Sequence, residues 1–160
     1  MSKPILLDNT VLSNLALVGQ MGLVFHLWPD RVCMTRAVRG EYQRAVQEGL
    51  LPAYAWSDLP VVDMTAQENA LAQTFSTRLG IGERSCLAIA HTRDTLFASD
   101  DADARTAAQK LGILVTGTLG ILALAVRREL LPLSQANTLL MAMIAAGYRS
   151  PLYKLDTLVK

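Results

Sequence analysis

Four carboxylates in this chain stand where helices begin or where a helix turns inward, and binding a hard cation is what such a set could do. Asp8 follows the apolar run Ile5-Leu6-Leu7, Glu41 lies inside a helical pattern, Glu83 follows Gly80-Ile81-Gly82, and Asp100 follows Leu96-Phe97-Ala98-Ser99 with Asp101 next to it. If they met within ~4–6 Å, each close pair would cost up to about 4 kcal/mol at an effective dielectric of ~20. No Lys or His adjoins Asp8, Glu41, Glu83 or Asp100 in sequence. Mg²⁺ or Mn²⁺, which prefer oxygen ligands, are then the natural counter-charge, and such ions ready water for phosphodiester cleavage.

Each acid also has a plainer reading. Asp8, Glu83, Asp100, Asp101 and Asp103 sit near helix starts, where side-chain oxygens accept from free backbone N–H groups and negative charge suits the helix dipole. Glu41 differs, because it falls mid-helix, three residues after Val38 and four before Ala45 on a stripe that includes Tyr42 and Val46. It either joins the other acids or lies along the core rim with its charge in water or paired to Arg39 or Arg44. Glu83, with Cys86 and Leu87 three and four residues on, is on the apolar side of its own helix.

The elements that must position these acids alternate. Short β-rich runs are expected at residues 4–7, 32–34, 61–62, 95–98 and 113–115, and helices at 10–18, 21–28, 35–48, 66–79, 82–92, 102–111, 118–129 and 134–146. The pattern predicts an α/β fold with a parallel, twisted central sheet of four to five strands and helices on both faces, built as one domain over residues 1–160. In such sheets functional groups collect beyond the C-terminal strand ends, where Asp8, Asp100-Asp101 and Thr116-Gly117-Thr118 are placed. The segment 50–60, with Pro52, Tyr54, Trp56 and Pro60, reads as an extended surface connection.

Composition narrows the classes. The chain has 160 residues, 51% of them hydrophobic, enough for a core without disulfides or structural metal. Mean hydropathy is +0.27, yet the uncharged stretch over residues 111–126 is broken by Thr116, Gly117 and Thr118 and falls short of a spanning helix. The apolar run before Asp8 is too short for a secretory signal, so a cytoplasmic protein without membrane partners is expected. A net charge of +1 provides no global basic field, so any nucleic-acid contact must be local. Cys33 and Cys86 lack metal-ligand spacing and read as buried thiols, and His26 and His91 are isolated.

Leu6-Leu7-Asp8-Asn9-Thr10 resembles the opening of PIN-domain proteins, and Thr35-Arg36-Ala37-Val38-Arg39-Gly40-Glu41 resembles their second strand leading into a Glu-bearing helix. The segments Leu79 to Ala90, containing Gly82-Glu83, and Leu96 to Arg105, containing Asp100-Asp101, are similar to a PIN-like subgroup related to VapC-type toxins. Thr116-Gly117-Thr118-Leu119-Gly120 and Ala146-Gly147-Tyr148-Arg149-Ser150-Pro151 extend the likeness over nearly the whole chain. The resemblance implies a PIN-like three-layer fold and an Mg- or Mn-dependent endoribonuclease, a hydrolase acting as the toxin of a toxin–antitoxin pair. It further implies Asp8, Glu41, Glu83 and Asp100 as the metal-binding and catalytic quartet, with Asp101 or Asp103 assisting and Thr10 orienting a ligand or water. Asp100 is favoured over Asp101 by position. RNA, an antitoxin and a second copy of the chain, in a homodimer or higher homo-oligomer, are the implied partners. The chain departs from the pattern at Ala102, where relatives often carry a basic residue, and at Glu129, where Gly commonly ends a helix.

Several positions keep two readings. Thr116 to Gly120 suits a small anion site or a tight turn with Thr118 as N-cap. Arg84 and Arg105, nearest the acids, are candidate RNA contacts, with Arg127 and Arg128 as further phosphate candidates or merely solvated cations. Val11, Leu15 and Val18, followed by Leu23, Phe25 and Leu27, suit core or a dimer face. Ala102 also admits a catalytically weak PIN-like module that binds RNA or a protein. A phosphatase or response-regulator-like domain would share the Asp-Asp pair but needs a partner Lys that the sequence does not identify.

Overall fold

The short run Ile5–Leu7 (β1) is buried at every position, as a strand covered on both faces must be. The computed structural model describes residues 3–53 and 59–160. After β1 come helices Asn9–Leu17 (α1) and Gly22–Leu27 (α2), strand Val32–Thr35 (β2), helix Arg36–Gln47 (α3) and strand Val61–Val62 (β3). The second half runs through helices Ala66–Thr74 (α4) and Ile81–Arg93 (α5), strand Leu96–Ala98 (β4), helix Ala102–Lys110 (α6), strand Val115–Thr116 (β5), and helices Thr118–Arg127 (α7) and Leu133–Ala145 (α8).

All five strands among the described residues are parallel, in the order β3-β2-β1-β4-β5. Register is set by Ile5 against Val32 on one side and by Leu7 against Ala98 on the other. The chain steps outward from β1 to β3, then returns across the sheet to β4. Strand order therefore reverses between β1 and β4, and a crevice opens beyond their C-terminal ends at such a switch point. Asp8 leaves one side of that crevice and Ser99-Asp100-Asp101 the other. The Asp8 N–H donates to the Ala98 carbonyl at 2.9 Å, which locks the two exits together.

Helices cover the sheet through apolar faces. α1 packs on α3, α7 and α8, while α5 packs on α4, α6 and also α3, so α3 meets both groups. The stripe of Val11, Leu15, Leu23 and Leu27 is buried in the main core, with Val18 and Phe25 partly buried against it. Cys33 and Cys86 are buried free thiols.

Three expectations are corrected. The helix expected over 66–79 ends at Thr74, because Phe75 is extended (ψ 158°) and the Ser76 hydroxyl accepts from the Arg78 N–H at 3.2 Å, a local turn that competes with the helix. The strand expected over 113–115 is Val115–Thr116, because the Ile113 N–H closes α6 on the Ala108 carbonyl at 2.9 Å after Gly112 turns left-handed. Thr118 is not an N-cap: Gly117 holds that place, and Thr118 is the first residue of α7. The connection expected over 50–60 has its middle, residues 54–58 with Tyr54 and Trp56, outside the described residues. Glu129, where Gly would end the helix without strain, adopts φ +60° and ends α7 at the cost of a side chain in the left-handed region.

Candidate active site

Asp8 caps α1 and is only 1% exposed. Its Oδ1 accepts from the Asn9 N–H at 2.8 Å, and its Oδ2 accepts from the Ser99 hydroxyl at 2.7 Å and the Thr10 hydroxyl at 3.0 Å. The same Thr10 oxygen accepts from the Asp100 N–H at 3.0 Å. Burial raises the Asp8 carboxyl above its usual range against the pull of these donors, and the Asp101 charge adds to the rise.

Glu41 reaches from α3 to the start of α5. Its Oε1 is buried with no hydrogen-bond partner, and it forms no ion pair with Arg39 or Arg44 among the described residues. Gly82 is what admits it: a Cβ there would overlap Glu41 Oε1, and one at Gly80 would stand 3.4 Å from Oε2. Burial, then the Asp8 charge, raises its carboxyl, with the Gly82 backbone amide and Arg44 pulling weakly the other way. Glu83 accepts from the Gly80 N–H at 3.1 Å, so it serves the helix start as well. It is pushed up to about 7 by burial, next by Asp8, and further by Asp101 and Glu41, against the Gly80 amide. α5 is fixed to the end of β2 through Ser85, whose hydroxyl lies 2.7 Å from that of Thr35 and donates to the Gly82 carbonyl at 2.6 Å.

The two adjacent aspartates differ. Asp101 caps α6 through the Ala104 N–H at 2.8 Å, and its charge reaches both Asp8 and Glu83. Asp100 instead accepts from the Thr118 N–H at 2.7 Å, from the Thr118 hydroxyl and from the Asn14 amide at 2.9 Å. It therefore ties β4, α7 and α1 together. The acids that act on one another are Asp8, Glu41, Glu83 and Asp101, with Asp100 engaged beside them. Asp103 is more exposed and lies 3.7 Å from Arg78.

Of the arginines, Arg105 donates through Nη1 to the carbonyls of Ser99 at 2.9 Å and Thr116 at 3.0 Å, bracing the ends of β4 and β5. A Cβ at Gly117 would stand 2.6 Å from Asp100 Oδ1 and 2.9 Å from this guanidinium, which explains the glycine. Arg84 lines a shallow cleft with Asn69, Ala72 and Gln73, its Nε buried without a partner. Arg127 and Arg128 donate to the carbonyls of Leu158 and Leu27.

Sequence reasoning did not identify Ser99, Asn14 or Gly82 as parts of this site. Asn14 lies four residues after Thr10 on one helix face, a spacing that could have revealed it. Nothing local marks the contact between Gly82 and Glu41, because those residues meet only in the fold.

Whether these residues suit a divalent ion is decided by the orphaned Glu41 Oε1 and by the donor chemistry. Carboxylates repel one another here, and among the described residues none of them is ion-paired to an ammonium or imidazole, which is the environment a hard cation completes. Among the described residues, no group of three acid, histidine or cysteine side chains converges tightly enough to hold an ion unaided. The donors fit by kind and charge, and the pocket is not closed around a single point.

An open parallel sheet with interacting carboxylates at its switch point defines an α/β protein with an acidic centre. A PIN-domain family model matches residues 4–158, and the chain belongs to that family. PIN domains are usually nucleases and typically use divalent metals. No curated protein matches the chain. Among the described residues, no helix is long and apolar enough to cross a membrane.

Proposed function

We propose that this protein is an Mg²⁺- or Mn²⁺-dependent endoribonuclease, acting in the cytoplasm as the VapC-like toxin of a toxin–antitoxin pair. The observation that carries the metal-dependent reading is Glu41 Oε1, buried and unpartnered beside acids whose charges oppose one another. Asp8, Glu41, Glu83 and Asp101 would hold the ion. Once bound, it supplies positive charge for the phosphodiester and lowers the pKa of water. Asp8 is oriented by Ser99 and Thr10, and Asp100 fixes the Thr118 turn and Asn14 around it. An antitoxin would act by covering the acidic crevice, and a homodimer or higher homo-oligomer would frame it.

The test combines cleavage with binding. The purified chain should cut single-stranded RNA with Mg²⁺ or Mn²⁺ and not with EDTA, Asp8→Asn should abolish cutting, and expression should arrest growth only with Asp8 intact. No cleavage with either ion would overturn the reading. Lack of a preassembled ligand trio favours one second reading, a non-catalytic module that binds RNA or a protein. Calorimetry showing no Mn²⁺ binding beside a stable RNA or protein complex would select it.

A further inference from the structure

Next to the acidic centre, a cleft of about 650 Å³ opens between α6, the β5–α7 turn and the segment after α8. Its walls include Asp100, Arg105, Gln109, Gly117, Tyr148 and Arg149. We propose that this cleft is a subsite for one nucleotide of single-stranded RNA, with its base against Tyr148 and its phosphate against Arg105 and Arg149. The role in cleavage rests on the nuclease reading above; the binding does not.

Size, charge and shape agree on that occupant. The volume falls in the range of small-molecule sites, large enough for a base with its sugar and phosphate. Arg105 and Arg149 form no ion pair among the described residues, so their charge is available to an anion. Asp100, the acid on the wall, already accepts hydrogen bonds from Thr118 and Asn14. Two backbone carbonyls fix the Arg105 guanidinium in place, so little further ordering is needed when a phosphate arrives.

Tyr148 supplies the other half. The residue is partly buried, and burial together with the Asp100 charge pushes its hydroxyl up to about 12, so the ring stays neutral. A neutral aromatic face beside two guanidinium groups is the combination that accepts a base and its phosphate without reading sequence. A patch of this kind would give a chain with a net charge of only +1 a local cationic contact for RNA.

The experiment measures anisotropy of a labelled single-stranded uridine oligomer with the full chain in EDTA, so that metal plays no part. Arg149→Ala removes an exposed side chain, and Tyr148→Leu removes the ring; each should weaken binding about tenfold, on the scale of one stacked base. Arg149→Ala should also lower the salt slope by about one, as loss of a single phosphate contact does. Ala102→Arg, which adds a cation to the cleft wall, should tighten binding. If Arg149→Ala and Tyr148→Leu, with unaltered thermal midpoints, bind RNA as the parent does, the subsite is overturned even where cleavage persists. Loss of RNA binding in these variants would support it even if the parent cleaves no RNA, which would count against the nuclease reading alone.

Discussion

Two inward-facing glutamates, Glu68 and Glu41, sit on helices of the same molecule and end in opposite electrostatic states. Glu68 on α4 is 2% exposed and accepts from the Thr65 N–H at 2.8 Å, from the Thr92 hydroxyl, and from Arg93 through Nε at 2.8 Å and Nη2 at 2.7 Å. Arg93 holds its carboxyl down to about 2. Glu41 has a buried oxygen with no partner, and its carboxyl is raised. One arrangement completes its own bonding and serves stability. The other leaves one buried carboxylate oxygen without a hydrogen-bond partner, which is a mark of a functional site.

The contrast breaks most sharply at Glu41 itself. Glu41→Gln should lower metal-dependent RNA cleavage by roughly 10²–10³-fold, the scale of one electrostatic group at a transition state, while the metal-free thermal midpoint stays level or rises. At the opposite pole, Arg93→Met should destabilise the fold by about 3 kcal/mol, read by denaturant titration, because it strands a buried charge. That variant should leave the intrinsic cleavage rate alone. Gly82→Ala sharpens the comparison: its Cβ displaces Glu41, so Mn²⁺ affinity should fall at least about tenfold by calorimetry. The fold should tolerate the change, since Ala favours a helix over Gly by about 1 kcal/mol.

The smallest effect is on pH. Glu83 is raised from the ordinary 4.5 to about 7, so the folded state binds the proton more tightly than the unfolded one. Stability must then fall as pH climbs through that window, by about 1 kcal/mol once screening at a half-exposed carboxyl is discounted. For Glu68 the sign reverses: its contribution is present above 4.5 and lost as pH falls through about 2. Melting curves of metal-free protein should therefore show the Glu83 decline between about pH 4.5 and 7, and saturating Mn²⁺ should abolish it. A midpoint flat from pH 5 to pH 8 in EDTA would remove Glu83 from the comparison.

How far this was legible in the sequence follows from the range of each interaction. Helices and strands are written in local periodicity, so Ile5–Leu7, Val32–Thr35 and the α3 stripe of Val38 and Tyr42 emerge close to where they are found. The overrun past Thr74 arose where Ser76 diverts the backbone by a bond that periodicity does not register. Within the site, Asp8 was readable from its place after β1. The division of labour between Asp100 and Asp101 was not, because it depends on Thr118 and Asn14, which arrive from elements far along the chain. The inward turn of Glu41 was suggested by spacing, whereas the room for its carboxylate depends on the missing side chain at Gly82.

The two outermost strands, β3 and β5, each contain only two residues. A rim so short exposes few free amides and carbonyls to a strand from another molecule, so there is little template for edge-to-edge growth. In a polypeptide that is half apolar, sheet borders this brief offer a neighbouring strand little to pair with.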